Sequence, residues 1–374
     1  MLVGRVQTDA GPSIVCITGG RARDVSGACP TVAELLNAWD GSIPAGEDLG
    51  PVDRLPITPA FGKVSAGPGL RLLSPFDLQC IKASGVTFAA SAIERVIEER
   101  ARGDASHAEE IRSGLRDRIG ADIRTVAPGS TAASKLKSAL IADGLWSQYL
   151  EVAIGKDAEI FTKAQPLSSV GWGDWIGVRA DSAWNNPEPE IVLACNANGR
   201  ILGATLGNDV NLRDIEGRSA LLLGKAKDNN ASCAIGPFIR MFDGNFDLDD
   251  VRQAVVRLEI EGNDGFRLEG QSSMTEISRD PEELVGQTIG RDHQYPDGFA
   301  LFLGTMFAPI VDRDAPGLGF THRDGDRVRV SSKRLGILEN RVTTCDRAPP
   351  WTFGIAELMR NLAGRGLLRP RANS

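Results

Sequence analysis

Three acidic residues are spaced so that they could lie together and hold a metal ion. Glu188 and Glu190 alternate along a predicted strand, so both side chains point to the same face. The dipeptide Asn198-Gly199 is typical of a two-residue hairpin turn. A turn centred there places Asp209 opposite Glu188. The pattern therefore predicts three carboxylates on one face of a hairpin.

A cluster of three carboxylates needs a compensating cation, because like charges directly opposite each other destabilise a sheet. Ligands that are all oxygen atoms suit Mg²⁺, with Mn²⁺ or Ca²⁺ as alternatives, rather than Zn²⁺. The chain has only three histidines, which excludes a histidine-rich metal site. The spacing equally allows a solvated acidic rim, in which the three carboxylates point apart into water.

The segments around these carboxylates predict an α+β protein. Alternating, turn-rich sequence dominates from about residue 152 to about residue 342 and indicates strands. The N-terminal pattern predicts strands at 2–6 and 13–18 and helices that begin at Thr31 and Ser74. Amphipathic patterns predict further helices at 88–102, 107–119, 130–149 and 353–367. We divide the chain into an N-terminal β/α region (1–150), a β-rich metal-binding domain (151–345) and a C-terminal helix and tail (346–374).

Composition and charge argue against several function classes. The chain has 374 residues with 42 Lys+Arg and 49 Asp+Glu, a net charge of −7 that argues against a nucleic-acid partner. Its longest uncharged apolar run, 298–311, is shorter than the roughly 20 residues of a membrane helix. The N-terminal sequence lacks signal-peptide features, and the six cysteines form no C-x-x-C pair. We therefore expect free thiols in a cytoplasmic compartment and no membrane partner.

Five separated segments resemble the fumarylacetoacetate hydrolase family and occur in the same order. They are the pair Glu188 and Glu190, Asp209 after the hairpin, the segment 208–214, Lys227, and Gly304-Thr305. The resemblance covers about residues 152–345 and implies a distorted β-roll catalytic domain. It also implies that Glu188, Glu190 and Asp209 bind Mg²⁺, that the substrate is a 2-oxo acid or 1,3-diketone, and that the chain forms a homodimer or higher homo-oligomer.

The resemblance is greater to one subset of the family, the dehydratases of 2-keto-3-deoxy-pentonates. The segments 159–163, 177–190 and 214–217 are similar to theirs. This resemblance implies loss of water to give 2-oxoglutarate semialdehyde. Glu159 is then the first candidate for the general base or acid, and Lys227 for binding the substrate's developing charge or moving a proton. The expected substrate-binding residues are Arg213, Thr305, Lys163 and Ser91.

One departure from the family pattern separates dehydration from hydrolysis. The hydrolases and decarboxylases of the family carry an Asn-Tyr-x-x-His-x-x-Glu segment whose His–Glu dyad activates water. In the matching segment, 87–94, Ser91 stands at the His position and Glu94 keeps the Glu, so Glu94 stays a candidate catalytic residue. A serine without a base cannot activate water as a histidine does, which favours dehydration.

Other interpretations stay open at this point. The chain could hydrolyse a C–C bond of a diketo sugar acid or an acylpyruvate, or it could be a non-catalytic ligand-binding homologue. Several candidate residues also have ordinary explanations. Lys227 could be a solvated loop lysine, Glu159 could pair with Lys163 on the surface, Arg213 could form a structural ion pair, and Glu94 could lie on a solvated helix face.

Overall fold

The computed structural model describes residues 1–61, 69–112, 126–307 and 309–368. The strands are β1 (Leu2–Thr8), β2 (Gly11–Thr18), β3 (Arg21–Asp24), β4 (Glu47–Pro51), β5 (Arg71–Leu73), β6 (Cys80–Gly85), β7 (Glu159–Ala164), β8 (Trp175–Val178), β9 (Asn185–Asn186), β10 (Pro189–Cys195), β11 (Ile201–Asp209), β12 (Asn211–Leu212), β13 (Cys233–Met241), β14 (Val255–Glu261), β15 (Arg267–Ser273), β16 (Phe299–Phe302), β17 (Arg327–Ser332) and β18 (Gly336–Thr344). The helices are α1 (Val32–Asn37), α2 (Ala89–Arg100), α3 (105–112), α4 (Thr131–Ala142), α5 (Gln148–Ile154), α6 (Arg213–Glu216), α7 (Leu223–Lys227), α8 (Leu248–Arg252), α9 (Pro281–Thr288) and α10 (Ile355–Gly364). Short 3₁₀ helices lie at Val52–Arg54, Ala220–Leu222 and Met274–Glu276.

One large sheet runs through most of the chain. Its strand order is β4-β3-β2-β1-β13-β11-β10-β16-β6-β7, with β5 also paired to β1. A second sheet has the order β15-β14-β17-β18-β8, and β9 pairs with β12. These mixed sheets with short helices confirm the predicted α+β class, while the distorted β-roll, a finer description, stays a prediction.

The large sheet crosses the predicted domain boundary at residue 150. Strand β1 pairs with β13, and β6 pairs in parallel with β16 and antiparallel with β7. The N-terminal strands therefore share one hydrogen-bonded sheet with the strands that carry the clustered carboxylates. The three-part division stays a prediction, but the sheet itself has no break at its first boundary.

Several predicted elements are confirmed, and the differences have tertiary causes. Thr31 caps α1 by accepting a hydrogen bond from the Glu34 amide. The predicted helix at Ser74 is wrong, because residues 74–79 are irregular and lead into β6. There the Arg5 guanidinium donates to the Ser74 and Phe76 carbonyls, a long-range contact that local propensity does not contain.

The helical candidates between 88 and 149 are confirmed in part. Helix α2 lies within the predicted 88–102 range. The predicted helix at 130–149 is two helices, α4 and α5, separated by Gly144 at a φ of 67°. Residues 105–112 are helical, and 113–119 of the predicted 107–119 helix lie outside the described residues. No helix in the described ranges has the length and apolar character needed to cross a membrane. All six cysteines are free.

Strand β10 lies at the centre of the core, and every one of its residues is buried. We expect Leu193→Ala, at a fully buried position, to lower the free energy of unfolding by about 2–5 kcal/mol, because the deletion leaves a cavity. Urea denaturation would measure the loss. Leu221→Ala, whose side chain is 96% exposed, is the control and should stay within about 0.5 kcal/mol of the unmodified protein. A similar small change for Leu193→Ala would contradict this view of the core.

Candidate metal centre and active site

The β10–β11 hairpin brings the carboxylates together in the predicted register. Pro189 lies opposite Asn208 and Glu190 opposite Gly207. One step further out, the Asp209 amide donates to the Glu188 carbonyl at 3.0 Å. The prediction that Asp209 faces Glu188 is therefore confirmed.

The predicted two-residue turn is wrong, although its register survives. The Asn196 amide donates to the Arg200 carbonyl and Cys195 pairs with Ile201, so the loop contains three residues, 197–199. A bulge then shifts the register between Ala194 and Cys195. The longer loop and the bulge offset each other, and the strands reach the carboxylates with the expected pairing.

Glu188, Glu190 and Asp209 form a buried acidic triad. Each offers one carboxylate oxygen that lies within 4.8 Å of the oxygens offered by the other two. The three residues are only 1%, 1% and 2% exposed. This burial excludes the solvated acidic rim that the spacing alone left open.

Two lysines lie against the triad. The Lys227 Nζ is 2.5 Å from Glu188 Oε2 and 3.1 Å from Asp209 Oδ2. The Lys163 Nζ is 2.8 Å from Asp209 Oδ1 and donates to the Val210 and Lys227 carbonyls. Lys227 is 2% exposed, which excludes the solvated loop lysine.

Glu190 is held by the loop that follows β16. The Gly304 amide donates to its Oε2 at 2.7 Å, and the Thr305 hydroxyl donates to its Oε1 at 3.3 Å. Gly304 has a φ of 106°, and an added Cβ there would lie 1.9 Å from the Thr87 Oγ1. Only glycine fits this position without strain. The backbone conformation that places the Gly304 amide against Glu190 therefore depends on a glycine at position 304.

The carboxylates of the triad differ in how easily they ionise. Burial alone raises the pKa of Glu188, but the nearby Arg95 and Lys227 charges more than offset it and the pKa lies below its ordinary value. Burial, with the Asp209 and Glu188 charges, raises the pKa of Glu190 well above its ordinary value. Burial lowers the pKa of Lys227, but Asp209 and Glu188 more than offset it, so the ammonium stays charged. A further cation beside Glu190 would favour its ionised form.

The charge balance of the surrounding network fits a divalent cation. Among the described residues that are not exposed, the network holds seven carboxylates and five cations, an excess of two negative charges when all are ionised. Arg112 also pairs with Glu109, which is exposed and is left out of this count. The carboxylates belong to Glu94, Glu98, Glu159, Glu188, Glu190, Asp209 and Glu216, and the cations to Arg95, Arg112, Lys163, Arg213 and Lys227. The oxygen donors of the triad suit Mg²⁺. The residues present therefore fit a Mg²⁺ site.

Glu159 lies at the start of β7, close to the triad. It faces Gly85 of β6, where an added Cβ would lie 1.8 Å from the Glu159 Oε2. Burial raises its pKa, and the charges of Arg95 and Lys227 lower it in part. In the described part of the chain, Glu159 has neither an ion pair nor a hydrogen-bonded side-chain partner, so it does not pair with Lys163.

The remaining candidates, Ser91, Glu94 and Arg213, form their hydrogen bonds and ion pairs with residues outside the triad. The Ser91 hydroxyl donates to the Phe88 carbonyl at 2.9 Å, within the first turn of α2. Glu94 pairs with Arg112 and Arg213, at 2.9 and 2.8 Å. Arg213 is 1% exposed and also contacts Glu98 at 2.6 Å. Arg213 thus forms structural ion pairs, as the sequence allowed, and its partners are Glu94 and Glu98. The substrate-binding roles of Ser91 and Arg213 and the catalytic role of Glu94 stay predictions.

The sequence interpretation missed three charged residues of the site, Arg95, Glu98 and Glu216. Arg95 contacts Glu188 directly, at 2.5 Å, and also contacts Glu98 and Glu216. A signal existed: Ser91, Arg95 and Glu98 share one face of α2 at helical spacing, and all three are buried. Two charged residues on the buried face of an amphipathic helix indicate a buried partner.

Comparison with known proteins agrees with this fold. Residues 186–343 match the family described as fumarylacetoacetate (FAA) hydrolase C-terminal. This is the family that the sequence resemblance indicates, and the match covers residues 186–343. The matched range includes the whole triad and Lys227.

Two curated relatives have related names. The "Probable 2-keto-3-deoxyxylonate dehydratase" of Haloferax volcanii is 34% identical over 196 residues, which are 52% of this chain and 64% of that protein. The "2-dehydro-3-deoxy-D-arabinonate dehydratase" of Saccharolobus solfataricus is 36% identical over 180 residues, 48% of this chain and 57% of that protein. Both matches span less than two thirds of the relative's length.

A solved structure shows the same fold over most of the chain. It is described as 2-keto-3-deoxy-D-arabinonate dehydratase complexed with magnesium and 2,5-dioxopentanoate. The superposition has a TM-score of 0.63 and 23% identity, and it covers 92% of this chain and 99% of that chain. At this identity the similarity establishes the fold.

Proposed function

We propose that this protein is a Mg²⁺-dependent dehydratase that converts a 2-keto-3-deoxy-pentonate to 2-oxoglutarate semialdehyde. The observation that carries the proposal is the buried triad of Glu188, Glu190 and Asp209, with Lys227 between two of its carboxylates. The names of the two curated relatives support the substrate class. The magnesium and 2,5-dioxopentanoate in the solved structure of the same fold support the metal and the product.

Glu188, Glu190 and Asp209 would hold the metal, with Mn²⁺ or Ca²⁺ as alternatives to Mg²⁺. A bound divalent cation supplies Lewis-acid polarisation of a 2-keto oxygen, which makes the neighbouring C3 proton more acidic. Thr305 and the Gly304 amide orient Glu190 for this task. Lys163 orients Asp209 through its contact with Oδ1, and the substrate-binding roles of Lys163 and Thr305 belong to this proposal.

Glu159 would act as the general base that removes the C3 proton. Its pKa is raised, chiefly by burial, which brings a carboxylate closer to the pH range where proton transfer is efficient. Lys227 would hold the negative charge that develops on the substrate. The C4 hydroxyl then leaves with a proton as one water. A proton shift from C5 to C3 gives a C4=C5 enol, and loss of the enol hydroxyl proton with protonation of C4 gives the aldehyde. The step requires no activated water, which agrees with Ser91 at the His position.

Turnover of 2-keto-3-deoxy-pentonates with Mg²⁺, followed by mass spectrometry, tests the proposal. We expect a product that is lighter than the substrate by one water. Addition of EDTA should abolish turnover, and excess Mg²⁺ should restore it. Two shorter acids as products would instead assign C–C hydrolysis, and Mg²⁺ binding without turnover of any 2-oxo acid in a panel would assign a non-catalytic role.

We further propose a cytoplasmic location and assembly into a homodimer or higher homo-oligomer. The six free cysteines support the first, because disulfides are rare in reducing compartments. The family resemblance supports the second. Sedimentation velocity would measure the assembly state, and a monomer at micromolar concentration would contradict it.

A further inference from the structure

Helix α2 reaches the candidate metal centre through one side chain, Arg95. Its Nη2 lies 2.5 Å from the Glu188 Oε1. Its Nη1 lies 2.6 Å from the Glu98 Oε2 and 3.2 Å from the Glu216 Oε2. All four residues are buried. One guanidinium therefore joins a triad carboxylate to two carboxylates outside the triad.

The contacts to Glu188 restrict the rotation of its carboxylate. Arg95 donates to the Glu188 Oε1 and the Lys227 ammonium donates to the Glu188 Oε2, so each oxygen has a different charged partner. A guanidinium is planar and presents its donors in a rigid fork, whereas a lysine ammonium is a compact point charge. Only an arginine at position 95 can contact Glu188 and Glu98 at once with separate nitrogens.

The same contacts continue as an alternating chain of buried charges. The Glu98 Oε1 accepts from the Arg213 Nε at 2.6 Å, and the Arg213 Nη2 lies 2.8 Å from the Glu94 Oε2. Glu94 in turn pairs with Arg112 at 2.9 Å. Helix α2 is thus tied to the β10 end of the hairpin through Arg95, to α6 through Arg213, and to α3 through Arg112.

We propose that Arg95 is a positioning residue, which orients the Glu188 carboxylate for metal binding and makes the order of α2 depend on the metal centre. The inference rests on the proposed function in one respect, because it takes Glu188 as a metal ligand. Partners that orient metal ligands in this way typically change metal affinity by about 10–100-fold when they are removed. The coupling is reciprocal, so a metal that gains from an ordered α2 must also stabilise α2.

Charge and orientation have opposite effects here, and the choice of variant separates them. Loss of the positive charge at Arg95 would by itself strengthen the binding of a cation, whereas loss of orientation would weaken it. Arg95→Lys keeps the charge and removes the fork, so it reports orientation alone. Arg100→Lys is the matched control, because Arg100 is an exposed residue of the same helix whose side chain, within the described part of the chain, donates only to the Gly144 carbonyl.

Isothermal titration of the full-length protein with MgCl₂ is the first measurement. We expect Arg95→Lys to bind Mg²⁺ at least about 10-fold more weakly than the unmodified protein, and Arg100→Lys to bind it equally well. Equal or tighter Mg²⁺ binding by Arg95→Lys would overturn the inference. Absence of Mg²⁺ binding by the unmodified protein would overturn the proposed metal site and this inference together. If the unmodified protein binds Mg²⁺ and turns over substrate, and Arg95→Lys binds Mg²⁺ equally well, the inference alone would be overturned.

Hydrogen exchange gives a second measurement, and its comparison of the unmodified protein with and without Mg²⁺ does not depend on how well a variant folds. In the unmodified protein we expect Mg²⁺ to slow amide exchange throughout α2, and in Arg95→Lys we expect this protection to be lost. Exchange in α10, which lies outside the ion-pair chain, is the internal reference. Unchanged α2 exchange on addition of Mg²⁺ to the unmodified protein would contradict the coupling.

Discussion

Glu190→Gln is expected to weaken Mg²⁺ binding by more than about 100-fold, which exceeds the usual effect of residues that only orient a metal ligand. Metal-dependent turnover should be lost with it. Glu190 is one of the three proposed ligands, and an amide offers Mg²⁺ a neutral oxygen in place of a charged one. Titration calorimetry and a turnover assay at saturating Mg²⁺ would measure the two effects.

The variant should stay folded, which makes Glu190 a better test than Glu188. Glu190 accepts a hydrogen bond from the Gly304 amide at Oε2 and one from the Thr305 hydroxyl at Oε1. A glutamine oxygen can accept from the Gly304 amide, and its amide nitrogen can donate to the Thr305 hydroxyl. Glu188 instead contacts the charged Arg95 and Lys227, so its loss would remove one charged partner from each of two buried cations. Glu269→Gln, at an exposed position of β15, is the control. Unchanged Mg²⁺ affinity in Glu190→Gln would remove Glu190 from the ligand set.

Glu159→Gln is expected to lower kcat by about 10²–10⁴-fold, the range usual for loss of a general acid or base. Mg²⁺ affinity should stay close to that of the unmodified protein, because Glu159 is not a member of the triad. Titration calorimetry and steady-state kinetics would separate the two quantities. Glu151→Gln is a matched control, since Glu151 is an exposed residue that pairs with Lys137.

The pH dependence of the activity should also identify Glu159 as the general base. Burial raises the pKa of Glu159 above its ordinary value, and a general base must be deprotonated to act. The activity of the unmodified protein should therefore fall as the pH drops through this raised pKa, at a higher pH than for an ordinary glutamate. An acid limb that persists unchanged in Glu159→Gln, or a kcat reduced less than tenfold, would exclude Glu159 as the base.

The carboxylate triad could be predicted because it depends on local rules. Alternation along a strand places Glu188 and Glu190 on one face, and the turn at Asn198-Gly199 sets the distance to Asp209. The loop has one residue more than predicted, yet the compensating bulge left the pairing of the carboxylates unchanged. The family resemblance then indicated Lys227, which the structure places against two of the three carboxylates.

The environment of α2 could not be predicted in the same way. The helix itself follows from its amphipathic pattern, but Arg95 meets Glu188 across 93 positions of sequence. Which buried charge pairs with which depends on how α2, α3 and α6 pack against the hairpin. The sequence interpretation therefore selected Ser91 and Glu94 from the family pattern and passed over Arg95 and Glu98.

The sequence by itself determined the α+β class, the hairpin that carries the triad, and the similarity of residues 186–343 to the family domain. These depend on side-chain periodicity, turn chemistry and motif order, which are properties of short segments. Only the tertiary structure decided that the triad is buried rather than solvated, that the N-terminal strands complete its sheet, and that Arg95 holds Glu188. The reason is physical: burial and ion pairing depend on contacts between segments that are distant in the chain, and local preferences do not encode them.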